Sequence, residues 1–179
     1  RRGTEALHRP PRWLAVTRLT VNKLGPLFDW SGPLFRDGSR ELHLFGPMQE
    51  QIDVPDWVHY HGSAAPEQLA REWFPGAQGL ITLSRHAEGR PQVMLEAMAS
   101  GAAVVTTDRL AIPEVGGEAV SYVGVDSDSI RDAMRELYTD ETENARLRGL
   151  AVLRASLFTW HATAAHHIAA YELAAVSLR

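Results

Sequence analysis

Two carboxylates and a run of potential anion-binding amides fall within one short segment. Residues Ser84-Arg85-His86-Ala87-Glu88-Gly89-Arg90-Pro91 read as a loop, and Gln92 to Ser100 as a helix opened by that proline. The first amides of a helix lack an intrahelical acceptor and carry the positive end of its dipole, so this start suits an anion such as a diphosphate. Glu88 would lie ahead of that anion and Glu96 behind it, in the second helical turn. Ionised carboxylates accept hydrogen bonds from sugar hydroxyls. Glutamates near a helix start also serve as dipole partners or surface charges, so the geometry leaves both readings open.

The flanking sequence says what must position this segment. Gly79-Leu80-Ile81-Thr82-Leu83 is a short apolar run fit for a buried strand, and Gly101 stands where a helix C-cap belongs. Similar runs occur at Trp13–Thr17, Leu42–Phe45, Trp57–His61, Ala102–Thr106 and Ala119–Val123. Helices are expected from near Pro26, over Pro66–Trp73, from Ser127 or Asp128 to about Tyr138, from Glu141 to about Ala155, and after a Thr159 cap. Gly32-Pro33 and Asp37-Gly38 read as breaks. Strands and helices alternate, and the strands are apolar without alternation. This predicts an α/β, Rossmann-like domain with a mostly parallel sheet and helices on both faces. Ligands in such sheets sit beyond the carboxyl ends of the strands. The loops after Thr17, Phe45, His61, Leu83 and Thr106 are therefore the ones that matter.

Composition narrows the classes. The chain has 179 residues, enough for one domain with a real core. Residues 1–12 read as a basic leader or linker and 13–179 as the domain. Hydrophobic residues make up 45% and charged residues 22%, which excludes disordered and fibrous classes. The net charge of -4 argues against a nucleic-acid binder that works by bulk charge. With no cysteine there is no disulfide, thiolate metal site or cysteine nucleophile. No apolar run approaches the roughly 20 residues of a membrane span. A cytoplasmic location is expected, with peripheral membrane contact left open.

Several motifs have plainer explanations than chemistry. His59 and His61 share a strand face and could hold a metal, although such pairs are more often satisfied polar positions. His86-Ala87-Glu88 looks like the tripeptide of zinc deaminases, whose chemistry needs the cysteines this chain lacks. Asp126-Ser127-Asp128 precedes a helix, and capping accounts for it. No metal site is expected.

The order of motifs is more specific than any one of them. Glu88-Gly89-Arg90-Pro91, then Leu95-Glu96-Ala97-Met98-Ala99-Ser100-Gly101, then Val104-Val105 resembles the Glu-x7-Glu region of the retaining family 4 glycosyltransferases of GT-B fold. Val58-His59-Tyr60-His61-Gly62 with Glu67 and Leu69 resembles the strand and helix that precede that region. Ile112-Pro113-Glu114-Val115 resembles the loop after the next strand. Phe158-Thr159-Trp160 and Tyr171-Glu172 resemble the closing helix, and Thr17-Arg18-Leu19 with Lys23 the Gly-Arg-Leu … Lys-Gly element. The match runs from Trp13 to Glu172. It departs at Thr17, where the family has Gly; at Leu24, which separates Lys23 from Gly25; and at Gly46-Pro47-Met48, where the family has Gly-x-Gly.

The resemblance implies the C-terminal, donor-binding half of a hexosyltransferase-type enzyme. In that reading Arg18 and Lys23 hold the donor diphosphate and stabilise the leaving nucleotide, and Glu88 faces the sugar. Glu96 takes the ribose, amides from Gly89 and Arg90 to Val93 and Met94 hold phosphate or sugar, and His61 and Gly62 lie near the base. The donor would be a nucleoside-diphosphate sugar, UDP- or GDP-linked, with no cofactor and no metal. The acceptor-binding half would lie N-terminal to Arg1, and any membrane contact would run through it. A non-catalytic nucleotide-binding module that pairs with a separate acceptor-binding chain, and a GT-B-like epimerase half, share the fold and remain alternatives.

Overall fold

The computed structural model describes residues 10–86, 89, 91–124 and 127–177. Six strands form one sheet in the order β3-β2-β1-β4-β5-β6. They are β1 (Arg12–Val16), β2 (Glu41–Phe45), β3 (Val58–Tyr60), β4 (Gly79–Thr82), β5 (Ala103–Thr107) and β6 (Ser121–Val123). Every pairing is parallel. This is the expected Rossmann-like architecture, and its strand order reverses between β1 and β4.

Strand residues alternate between the two faces, so each strand feeds two cores. Trp13, Ala15, Leu42, Leu44, Ile81 and Val105 face one core, covered by α2 (Leu27–Phe35) and α6 (Ser127–Thr139). Leu14, Phe45, Leu80 and Val104 face the other. There they meet Met94, Leu95 and Met98 of α4 (Gln92–Ala99), Ile112 and Val115 of α5 (Ile112–Gly116), and Ala151 of α7 (Glu141–Ala155). Burial on both faces is why the strands read as continuous apolar runs. Gly79 has no side chain because a Cβ there would stand 2.7 Å from the Trp13 ring.

Local signals set several helix ends as expected. Gly101 takes φ +75°. The Gly101 amide donates to Met98 O at 3.0 Å and the Ala102 amide to Ala97 O at 3.0 Å, which closes α4 in a Schellman motif. Thr159 Oγ1 accepts from the Ala162 amide at 3.1 Å and caps α8 (Trp160–Ser177). Asp140 caps α7 through the Glu143 amide at 2.9 Å, a cap the sequence reading did not single out. Asp126 lies outside the described residues, and Asp128 sits in the first turn of α6.

Other expectations are corrected. Gly32-Pro33 does not break the chain but lies inside α2. Burial of Leu27, Leu34 and Phe35 outweighs the bond that proline removes, and the Ser31 hydroxyl donates to the Leu27 carbonyl there. A short helix, α1 (Val21–Leu24), precedes Pro26, because Thr20 caps it. Ile112–Val115 is not a loop but belongs to α5, with proline accepted in its first turn. The helix from Pro66 starts as α3 (Pro66–Gln68) and widens over Leu69–Trp73, where the Phe74 amide reaches Leu69 O at 2.9 Å. Arg12, read as the end of the leader, is already in β1, while residues 1–9 lie outside the described part. α8 carries exposed Trp160, Ile168, Tyr171 and Leu173. No helix among the described residues is long and apolar enough to cross a membrane.

Met98 is fully buried where α4 meets the sheet. Met98→Ala is expected to lower stability by about 2–5 kcal/mol in urea unfolding. A loss well under ~1 kcal/mol would mean that this face of the sheet is not tightly packed.

Candidate functional site

The site is built from loops that leave the carboxyl ends of neighbouring strands and are locked together. The β1–β2 pairing continues past the strands: the Thr17 amide donates to Phe45 O at 2.9 Å and the Leu19 amide to Pro47 O at 2.9 Å. Gly46, at φ +136°, permits this approach, because a Cβ there would stand 1.7 Å from the Thr17 carbonyl oxygen. So although this chain departs from Gly-x-Gly, the first glycine keeps a steric role. Arg18 rides on this joined loop, and Lys23 follows on α1.

A second lock joins the loops after β1 and β4. Gly25, at φ +55°, ends α1 against β4, and a Cβ on it would stand 2.3 Å from the Leu83 carbonyl oxygen. The Arg85 amide donates to Asn22 O at 2.8 Å. The position of Gly25, two residues after Lys23, is thus set by contact with Leu83.

Between these loops lies a cavity of about 230 Å³, at the point where the strand order reverses. Thr17, Arg18 and Lys23 line one side, Thr82 and buried Ser84 the floor, and Pro91, Gln92 and Val93 the side where α4 begins. Ile112 of α5 closes it. Two cations enter this wall, and no carboxylate is among its described residues. Pro91 stands at the α4 N-cap without a side-chain hydrogen bond to cap the helix. The amides of Gln92, Val93 and Met94 have no acceptor within the helix, since the first such bond runs from the Leu95 amide to Pro91 O. Cationic side chains and a helix start converging on one space suit a polyanion.

A second cavity of about 270 Å³ adjoins the first and shares Val16, Thr17 and Arg18 with it. It extends over Phe45, Gly46 and Pro47 towards Ser63 and Ala64. Together the two make a cleft along the carboxyl edge of β4, β1 and β2. A larger apolar depression of about 640 Å³ lies between α7 and the turn from Gly117 to Ala119. It adjoins the amino end of β6, away from the carboxyl edge where such folds bind ligands.

The structure thus brings Arg18, Lys23 and Val93 together. Glu88 and Arg90 lie outside the described residues, and Gly89 is exposed. The Met94 side chain is fully buried in the core, so only its main chain faces the helix start. Glu96 is half-buried one turn along α4, and this burial raises its carboxyl above the ordinary range. It does not line either cavity. Gly62 accepts the Gly46 amide at 2.7 Å, which ties the end of β3 to the second cavity. The sequence reading names neither Thr82 nor Ser84 as a site residue, places Gln92 there only through its amide, and gives Ile112 only as part of the Ile112–Val115 motif. For Ser84 and Gln92 the strand-end and helix-start rules carried the signal.

The His61 ring is engaged elsewhere. It stacks on Phe45 with centroids 4.6 Å apart, and its Nε2 lies 2.9 Å from His43 Nδ1. His43 Nε2 lies 2.9 Å from a Glu41 carboxylate oxygen. When Glu41 accepts from Nε2–H of a neutral His43, Nδ1 must accept, so His61 donates from Nε2–H. His59 stacks on His43 and Trp73 lies over the group, with the Arg12 guanidinium 5.1 Å from the Trp73 ring. Burial pushes His43 and His61 below the ordinary histidine value, and Glu41 draws His43 part of the way back. The described residues contain no group of three or more side chains placed to hold a metal.

Fold and cleft define a doubly wound α/β domain with an anion-suited site at its switch point. The profile of the family described as Glycosyl transferases group 1 matches residues 11–140, and the chain belongs to that family. No curated protein matches the chain. Among solved structures, sucrose-phosphate synthase from Thermosynechococcus elongatus superposes with a TM-score of 0.78 at 20% identity, over 94% of this chain and 46% of that one. HepE from Anabaena, solved with UDP and glucose, gives 0.74 at 16% identity, over 93% and 49%. The pneumococcal O-GlcNAc transferase GtfA, solved with UDP and GlcNAc, gives 0.64 at 18% identity, over 84% and 33%. The chain therefore spans a third to a half of the length of these neighbours.

Two outcomes test the site's construction. Gly46→Ala is expected to cost about 2 kcal/mol or more in chemical unfolding, because the methyl group meets the Thr17 carbonyl at a left-handed φ; an unchanged midpoint would show that the loops do not stay joined. His43 and His61 resist protonation when folded. As pH falls below about 6.5 the unfolded chain takes up protons that the folded chain refuses, so stability is full above that value and declines below it. Unfolding midpoints from pH 7.5 to 5.5 should show this decline, and it should shrink in His43→Gln.

Proposed function

We propose that this chain is the donor-binding, C-terminal half of a retaining GT-B glycosyltransferase of family 4. It holds a nucleoside-diphosphate hexose, UDP- or GDP-linked, in the cleft over β4, β1 and β2. The observation that supports this reading is the cavity at the switch point, where Arg18, Lys23 and the start of α4 converge. HepE and GtfA, neighbours in fold, are described in complex with UDP-glucose and with UDP and GlcNAc, and lend support.

In this reading the diphosphate lies against the amides of Gln92 to Met94, flanked by Arg18 and Lys23. The bond between the sugar's anomeric carbon and the diphosphate oxygen breaks, a bond from an acceptor hydroxyl oxygen forms on the same face, and the hydroxyl proton passes to the departing diphosphate. Negative charge grows on the departing diphosphate. Arg18, Lys23 and the helix start stabilise it, the work a metal ion does in other designs. Glu88 takes the sugar hydroxyls, with Gly89 and Arg90 in the same loop. Glu96 takes the ribose. The base occupies the second cavity, beside Gly62 and the main chain of His61. The acceptor half lies N-terminal to this chain and makes any membrane contact, in the cytoplasm.

Calorimetric titration of UDP, GDP and ADP into the 179-residue chain tests the proposal. One diphosphate should saturate. Arg18→Ala should weaken it about 10- to 100-fold, as expected for lost charge-assisted hydrogen bonds, and Glu96→Ala should weaken it less. No saturation at millimolar ligand, or an Arg18→Ala chain that binds as well as the parent, would sink the reading.

A further inference from the structure

We infer that Glu50 is a positioning residue for the cationic wall, and that it acts through Lys23. The inference rests on the donor-site reading. The Leu19 carbonyl accepts the amides of Gln49 at 3.2 Å and Glu50 at 3.0 Å, and Leu19 bridges to Met48 in parallel register. These bonds hold the main chain around Arg18 to the loop after β2. The zipper stops at Leu19, and Lys23 lies beyond it on α1, a helix of four residues. So short a helix does not sustain itself, because nucleation is unfavourable and its first amides lack intrahelical partners.

Two side chains accept from amides of that first turn. Thr20 Oγ1 accepts the Lys23 amide at 3.2 Å, and the Glu50 carboxylate accepts the Val21 amide at 2.7 Å. Glu50 is 29 residues from Val21 in the chain and is the group that ties the start of α1 to the loop after β2. The Arg85 amide on Asn22 O and the packing of Gly25 against Leu83 hold the same short helix to the loop after β4; Glu50 holds its start to the loop after β2, to which Arg18 is zipped, and so helps set the spacing of the two cations.

An alternative makes the opposite prediction. If Glu50 mattered only as a negative charge near the site, removing it would strengthen anion binding whatever replaced it. A tether predicts that Glu50→Ala weakens binding, whereas Glu50→Gln, which keeps a carbonyl acceptor, retains most of it.

The experiment combines calorimetry, with the nucleoside diphosphate that binds the parent chain best, and amide exchange by NMR. Glu50→Ala is expected to weaken binding about fivefold, the size of one lost hydrogen bond, and to speed exchange at Val21 and Lys23. Glu50→Gln should stay within about twofold of the parent on both measures. In a Lys23→Ala background, Glu50→Ala should add little, since the two residues act in series. Unchanged exchange at Val21, equal behaviour of the Ala and Gln variants, or full additivity with Lys23→Ala would overturn the inference. A parent chain that binds no diphosphate would instead count against the donor-site reading, and the exchange measurement would still decide the tether.

Discussion

Strand β1 is hydrogen-bonded on both edges, to β2 on one side and to β4 on the other, and the chain reverses direction of growth across it. That pairing is the constraint from which the rest follows. Helices that leave β1 and β4 must diverge to opposite faces of the sheet, which opens a crevice between their starts. Trp13 fills the space beneath, and Gly79 lets the two strands meet across its ring. The cavity above is the unavoidable gap at this seam, and what lines it is decided by the loops that begin there.

Those loops are held by backbone contact more than by side chains. Gly46 lies against Thr17, and Gly25 against Leu83. At each point a carbonyl oxygen occupies the space a Cβ would need, so the loops after β1, β2 and β4 form one rigid rim. Arg18 and Lys23 stand on this rim, opposite the amides of α4. A cation on a joined backbone needs less ordering to meet an anion than one on a free loop, since only its side chain must be fixed. Placing charge donors on a fixed frame is also how a site stabilises charge that develops only during reaction.

The histidines show how a polar group can be absorbed by structure. His61 follows β3, and its ring is stacked on Phe45 and bonded to His43, which Glu41 holds in turn. Near an edge strand, this arrangement satisfies both ring nitrogens of buried His43, which would otherwise be costly. Its main chain is tied to β2, since the His61 amide donates to Leu44 O at 3.0 Å and Gly62 accepts the Gly46 amide at 2.7 Å.

Much of this was legible before any coordinates. The apolar runs marked the six strands to within a residue or two. Gly101 and Thr159 marked helix ends, because caps are contacts between residues a few positions apart. Motif order points to Arg18, Lys23 and Val93, and the three line one cavity. Tertiary structure alone decided that Gly32-Pro33 would lie inside a helix, where burial of Leu34 and Phe35 outweighs a local preference. It alone turned the ring of His61 towards His43, 18 residues away in the chain, and set Glu50 on Val21, 29 residues away. Local periodicity and capping act over one or two turns and can be read along the chain. Which loop touches which depends on how the strands are ordered in the sheet, and that order exists only once the chain has folded.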